Sequence, residues 1–303
     1  MSIRTILRGT GKILITAGVL VLLFVAYELW GTNIIASNHQ SALRQQFNRE
    51  LHSHGVATTP TTTSTTAPGS TTTLSTKAVQ AATAPPAEGQ PVGEIQIPAI
   101  GADYVVVQGT DTADLERGPG HYLGTALPGN PGNAAIAGHR TTYLRPFYNL
   151  DALKPGDPIF ITTVQGRFQY TVTDTQVVSP DDTAVLNPTA TPTLTLTTCN
   201  PRYSASTRMV VQAALVTPVV AAAPVKKVPP ARLKAAAADL AGGQGDWTGA
   251  LLWGLVVAAA AFGVWWMWRW RRRWWVPVAG VLPLLVLLFF FFGALNPLLP
   301  AGY

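Results

Sequence analysis

Residues 193–216 read TLTLTTCNPRYSASTRMVVQAALV. The first six alternate Thr with Leu and end in a Thr pair, a pattern with period 2 and β-branched residues that favours a pleated strand. Asn200-Pro201 then breaks the run with two turn-forming residues. RMVVQAALV resumes it as a second strand. Cys199 therefore ends one strand, and Arg208 opens the next, nine residues later.

Working outward, the same punctuation recurs. GEIQIPAI and DYVVVQG are separated by a turn at Gly101, and NAAIAG, DPIFITTV and RFQYTVTDTQVV follow, each bounded by Gly, Pro, Asn or Asp. Val164-Gln165-Gly166-Arg167 reads as a hairpin turn between two of them. Seven or eight short strands with only brief helical pieces, such as FYNLDAL, predict an all-β domain over 93–218, a closed barrel or a sandwich. The Gly- and Pro-rich segment 117–133 is expected as a long surface loop, a common place for function.

The remainder of the chain has a different solvent. Of 303 residues 48% are hydrophobic and only 12% charged, against about a quarter charged in soluble domains. Residues 13–27 (ILITAGVLVLLFVAY) carry no charge, and the apolar run reaches Ile35, near the roughly 20 residues needed to cross a bilayer. A cleaved signal peptide would share the basic start and apolar centre, but no small-x-small site follows directly, so 13–35 reads as an uncleaved anchor. Two more spans are expected at 248–268 and 276–295, with a cluster of tryptophans between them suited to an interfacial belt. Pro277 falls near a helix start, and Pro283 is expected to kink the third span. The basic residues of 1–12 and of the loop 269–275 both mark cytoplasmic ends, which puts 31–247 and the tail 296–303 outside.

The formal net charge of +6 is accounted for by these flanking cations. Between 94 and 218 there are ten acids and seven Lys/Arg, so the middle is mildly acidic and a nucleic-acid partner is excluded. Residues 36–55 read as a polar, helix-compatible stalk. The stretch 56–92, with TTPTTTSTTAPGSTTT at its heart, cannot build a core and reads as an extended linker reaching roughly 100 Å. Residues 219–247 form a second, Ala/Pro-rich stalk.

Cys199 is the chain's one cysteine. Outside the cell an unpaired thiol reads either as a reactive nucleophile or as a small buried hydrophobe. Its place at a strand end, before a turn, favours a rim position. A thiol nucleophile needs a proton shuttle and an oxyanion donor. His39, His52 and His54 lie in the membrane-proximal stalk, leaving His121, in a Gly-Pro-Gly-His turn, and His139, at the end of NAAIAG. His139 reads as the rim imidazole and His121 as a turn or packing residue. Arg208 shares a face with Val210 by alternation and is expected to project inward beside the strand of Cys199, while Arg202 reads as solvated. Nothing has metal-ligand spacing, so no metal and no cofactor are expected.

These residues carry a family resemblance. Thr195-Leu196-Thr197-Thr198-Cys199 resembles the TLxTC signature of sortases, the membrane-anchored cysteine transpeptidases of Gram-positive bacteria. GHR at 138–140 is similar to the segment supplying the family histidine, and Arg208 occupies the place of the family arginine. GPGHYLGTALPGNPGNAAIAGHRTTY and LTTCNPRYSASTRMVV look most like class E sortases of actinobacteria. The likeness covers about 93–218 and implies the closed sortase β-barrel.

It further implies Cys199 as nucleophile, His139 as general acid/base and Arg208 as oxyanion stabiliser. Thr197, Thr198 and Tyr143, within the matched strings, are the expected substrate contacts. The implied substrates are proteins with an LAxTG- or LPxTG-like sorting motif, cleaved between Thr and Gly and joined to a lipid II-like peptidoglycan precursor amine. A membrane-anchored cysteine hydrolase or a non-catalytic surface scaffold would share much of the pattern. Class C sortases carry a lid with an aspartate–aromatic motif, whereas 56–91 has no aromatic residue. The two C-terminal spans depart from the usual single anchor.

Overall fold

The computed structural model describes residues 3–54, 85–216, 247–271 and 275–295. The expectations for most of the Thr/Pro stretch, for the second stalk, for part of the basic loop and for the C-terminal tail lie outside them. The chain divides into two units, with one boundary between Ile34 and Ile35.

One unit consists of helices α1 (Ile3–Ala26), α4 (Trp247–Arg271) and α5 (Trp275–Leu295) and the π-helical turn Tyr27–Gly31. Three helices are long and apolar enough to cross a membrane. Helix α4 runs on to Arg271, so Arg269 and Arg271 lie in its last turn rather than in a loop. Phe24 meets Phe292 and Tyr27 meets Phe289 edge to face, at 5.3 and 5.1 Å between centroids.

The other unit is a barrel. Strands β1 (Pro91–Ile97), β2 (Ala102–Gln108), β3 (Gly120–His121), β4 (Asn133–Ala137), β5 (Pro158–Thr163), β6 (Gly166–Val178), β7 (Thr193–Asn200) and β8 (Thr207–Leu215) close in the order β1-β2-β3-β4-β7-β8-β6-β5. The β5–β6 hairpin turns at Val164 and Gln165, because Thr163 pairs with Gly166. The barrel alternative holds, and the sandwich does not. The inner face of the strands fills a single cluster, including Ile95, Ile97, Ile136, Ile161, Phe168 and Leu196.

Segment 117–133 is not a surface loop. It holds the short strand β3, parallel to β2 and antiparallel to β4, and none of its residues is exposed. Gly120 is required there, since a Cβ would lie 2.1 Å from the carbonyl oxygen of Gly109. Gly129 N donates to the Tyr170 hydroxyl at 2.7 Å, and Ala126 N to Asn133 O at 3.0 Å. A strand of two residues has no period to read.

The described part of the expected stalk, 36–54, packs on the barrel. Helix α2 (Thr32–Ser53) lies against the barrel, with Leu43, Phe47 and Leu51 in one stripe on Val105 and Val107. Each such burial contributes about 1.5–3 kcal/mol. Strand β3 pairs only with Val107 and Gln108 of β2, and the Gln40 amide takes up the backbone beyond them. It accepts from Val105 N at 2.8 Å and donates to Val105 O at 2.9 Å and Arg117 O at 2.8 Å. Arg44 pairs with Glu94 at 2.7 Å and Asp103 at 2.9 Å. On the far side of the Thr/Pro stretch, Gly89 N bonds Gln108 O at 2.7 Å. That stretch therefore links two parts of one folded body, and its length does not set the reach of the barrel.

Candidate active site

Strands β4, β7 and β8 are neighbours in the barrel and set the frame for the expected residues. In the antiparallel β7–β8 pair, Cys199 lies opposite Arg208. In the parallel β4–β7 pair, Ala137 lies level with Thr197. His139 follows Ala137 by two residues, beyond the end of β4, as Cys199 follows Thr197 along β7. The tie continues past the end of β4: Gly138 N donates to Thr197 O at 3.1 Å, and Thr198 Oγ1 donates to Gly138 O at 2.7 Å. Gly138 packs so closely on the Phe147 ring that a Cβ would lie 2.6 Å from it. Cys199 and Arg208 thus face each other on neighbouring strands, and the Gly138 bonds hold the turn that bears His139 against the end of β7.

The face is the outer one. Leu194, Leu196, Met209, Val211 and Ala213 enter the interior cluster, whereas Val210 and Arg208 line a cleft on the other side. Arg208 does share its face with Val210, but it does not project inward. The cause is visible in the cover over the outer face. Tyr122, Val185 and Leu186 close over it and bury Val210 there, although Arg208 and Gln212 make this the more polar face of β8. Arg208 is still buried, and its Nη1 donates to Ala205 O at 2.9 Å.

The expected substrate contacts have separate roles. Thr197 lines the cleft and shares a hydrogen bond of 3.0 Å with the Tyr122 hydroxyl. Thr198 is a backbone tie, as above. Tyr143 stands against His139, with ring centroids 5.1 Å apart, and donates its hydroxyl to Glu116 Oε1 at 2.8 Å. It begins a left-handed turn, with φ of 49°, 67° and 53° at Tyr143, Leu144 and Arg145. Such backbone is strained in non-glycine residues and persists where surrounding contacts over-determine it. Here the Tyr104 hydroxyl donates to Leu144 O at 3.1 Å and Arg145 N to Thr142 O at 2.9 Å.

Sequence reasoning missed Tyr122, Arg140 and Asp151. Tyr122 follows a strand too short to assign to a face. Arg140 adjoins the chosen histidine but looks like any surface arginine until its burial is seen. Arg202, expected to be solvated, holds Asp151 through Nη2 at 2.9 and 3.0 Å.

Burial decides the electrostatics. It pushes the Cys199 thiol upward, against the lowering influence of the Arg208 and Arg140 charges. It also pulls the His139 imidazole down to about 4. Nδ1 of His139 is 3.4 Å from Thr142 Oγ1, and its Nε2 is shielded with no hydrogen-bond partner among the described residues. Burial thus favours the uncharged form of each group.

His121 is a core histidine, as its turn suggested. Its Nδ1 stands 3.0 Å from Gln108 Oε1, and its Nε2 stands 2.8 Å from Ala126 O and 3.1 Å from Thr125 Oγ1. Burial lowers it to about 4. Unfolded, the ring titrates near 6.5, so the unfolded chain takes up the proton first as pH falls. The stability this ring contributes is complete above about pH 6.5 and is lost progressively towards about pH 4. Asp114, pushed up to about 7 by burial and by Asp111, works in the other direction. The expected result is therefore read as a difference: the gap in thermal midpoint between wild type and His121→Gln shrinks from pH 7 to pH 4.5. A gap that widens would mean that the folded ring is charged.

Comparison with known proteins follows this geometry. Residues 95–216 match the Sortase domain family. Sortase SrtE1 of Streptomyces coelicolor is 33% identical over 221 residues, covering 67% of this chain and 55% of that protein. The chain thus spans little more than half the length of this relative. A solved structure of sortase E from Streptomyces avermitilis is 36% identical, covering 44% of this chain and 91% of that one, with a TM-score of 0.40. Sortase SrtE2 of Streptomyces coelicolor is 30% identical over 225 residues, covering 68% of this chain and 80% of that protein. On that coverage, with a closed eight-stranded barrel that spans the matched residues, this chain belongs to the sortase family.

Proposed function

We propose that this chain is a membrane-held cysteine transpeptidase with Cys199 as nucleophile, His139 as general acid/base and Arg208 as oxyanion donor. Its substrates are proteins bearing an LAxTG- or LPxTG-like sorting motif, and its acceptor is the amine of a peptidoglycan precursor. The observation that supports this reading is the pairing of Cys199 with Arg208 across β7 and β8, together with the hydrogen bonds that tie Gly138, next to His139, to Thr197 and Thr198.

With burial favouring the uncharged form of each group, the competent thiolate–imidazolium pair is a minor population at neutral pH. The thiolate attacks the threonine carbonyl of the motif, and Arg208 donates to the developing oxyanion. The His139 imidazolium protonates the departing glycine amine, leaving a thioacyl enzyme. The neutral imidazole then takes a proton from the incoming amine, and the new amide releases Cys199. The cleft lined by Tyr122, Val178, Val185, Leu186 and Thr197 suits a small aliphatic residue of the motif. By the Lys/Arg bias the barrel lies outside the cell, with α1, α4 and α5 as membrane spans.

Incubating the full-length protein in detergent with a motif peptide is expected to add the mass of the peptide's acyl portion to Cys199. Addition of an amine is expected to discharge it as an amide. Release only as a free acid would make the protein a hydrolase, and no adduct would overturn the reading.

A further inference from the structure

Arg140 follows His139 directly, yet its side chain is only 3% exposed. It crosses from the turn after β4 to the end of β7, where Nη1 donates to Cys199 O at 3.2 Å and to Asn200 Oδ1 at 2.7 Å. Its Nη2 pairs with Asp151 Oδ2 at 3.0 Å. Asp151 is shared with Arg202, whose guanidinium stacks 4.5 Å over the Tyr148 ring and donates Nε to Tyr148 O at 3.3 Å. The network therefore pins three segments to one another: the histidine turn, the cysteine strand end and residues 148–151.

Burying this guanidinium is costly, and its Nε has no hydrogen-bond partner among the described residues, so the three acceptors on Nη1 and Nη2 carry the compensation. Its neighbours explain why it is there. It is the one side chain among the described hydrogen bonds that joins the residue after His139 to the main chain of Cys199 itself. We propose that Arg140, held by Asp151, is a positioning residue that fixes the Cys199 main chain, and with it the sulfur, relative to the His139 imidazole. This rests on the reading of Cys199 as the nucleophile.

The charge of the network is unbalanced. One carboxylate faces two guanidiniums, so net positive charge remains beside the thiol. The other titratable or charged groups around Cys199 are Arg208 from β8, His139 from the turn after β4, Tyr122 after β3, and Asp182 from the β6–β7 connection. Removing charge at Arg140 or at Asp151 must therefore shift thiol ionisation in opposite directions, whereas simple loosening of the fold would shift both alike.

Cys199 is the only thiol in the chain, so iodoacetamide labelling of the full-length protein in detergent reports that sulfur alone. The test compares wild type, Arg140→Gln, Arg140→Lys and Asp151→Asn. The midpoint of alkylation rate against pH is expected to rise by about 0.5–1 unit in Arg140→Gln and to fall by a similar amount in Asp151→Asn. Arg140→Lys keeps the charge but not the fork that reaches all three acceptors. Its alkylation midpoint is expected to stay near wild type while kcat for motif-peptide acylation drops about 10- to 100-fold at little-changed KM. Midpoints moving together in the Gln and Asn variants, or wild-type kcat in Arg140→Lys, would overturn the proposal. Should Arg140→Gln fail to fold, Asp151→Asn decides alone, since Asp151 is 37% exposed: an unmoved or raised midpoint is contrary. If wild type itself does not acylate, the proposed function fails, and the two opposite shifts still judge the role of Arg140.

Discussion

Cys199→Ala is expected to remain folded and to lose thioacylation of a sorting-motif peptide entirely, a fall of at least about 10⁴-fold. The loss is complete because no second thiol exists to substitute. The fold survives because the side chain is only half buried, at the end of β7 on the outer face, and stands outside the interior cluster of leucines, isoleucines and aromatics. A substitution removing one sulfur there costs about 1 kcal/mol or less. Two measurements are needed: intact mass after incubation with peptide, and a thermal melt of the same sample. Residual acyl-enzyme in the alanine variant would place the nucleophile elsewhere. A wild type that binds peptide without any adduct, and an alanine variant that binds equally well, would favour the scaffold alternative.

The second large effect separates the two barrel histidines. His139→Ala is expected to lower turnover about 10²- to 10⁴-fold, the usual contribution of a positioned acid/base, with a modest change in melting temperature. Its ring packs on Tyr143 and bonds only weakly to Thr142, so little of the fold hangs on it. His121→Gln should do the reverse. That ring is fully buried between Gln108 and Ala126 and shares Thr125 Oγ1 at 3.1 Å, so its loss costs about 1–3 kcal/mol of stability. Turnover per folded molecule is retained. Peptide kinetics below the melting transition of each variant are the check, and a reversed pattern would transfer the acid/base role to His121.

These expectations draw on unequal parts of the sequence. The seven longer strands are legible because each runs long enough to show a period and is stopped by Gly, Pro, Asn or Asp. Strand β3 is not, since two residues define no alternation. Helix α2 was readable as a helix but not as part of the domain. Its apolar residues Leu43, Phe47 and Leu51 are spaced four apart, yet the stripe is thin and the rest of the helix polar, which suits a stalk equally well. What docks it is a distant strand edge, visible only when Val105 is seen to bond Gln40.

The site divides along the same line. Alternation correctly grouped Arg208 with Val210, and the order of motifs named Cys199, His139 and Arg208. The burial of the outer face was beyond it, because the β6–β7 connection and Tyr122 cover Val210 and Arg208 from outside the barrel. Arg140 and Asp151 were beyond it for another reason. A buried ion pair between residues eleven positions apart leaves no local mark on either neighbourhood.

By itself, then, the order of amino acids determined the helices long and apolar enough to cross a membrane, the all-β character of the middle and the identity of the proposed reactive trio, since periodicity, charge bias and motif are properties of neighbouring residues. Only the tertiary structure decided on which side of the barrel the trio stands, what shields it from water and which buried charge holds the cysteine strand beside the histidine. Those outcomes depend on strand register and on segments that meet only when the sheet closes, and a linear string carries neither.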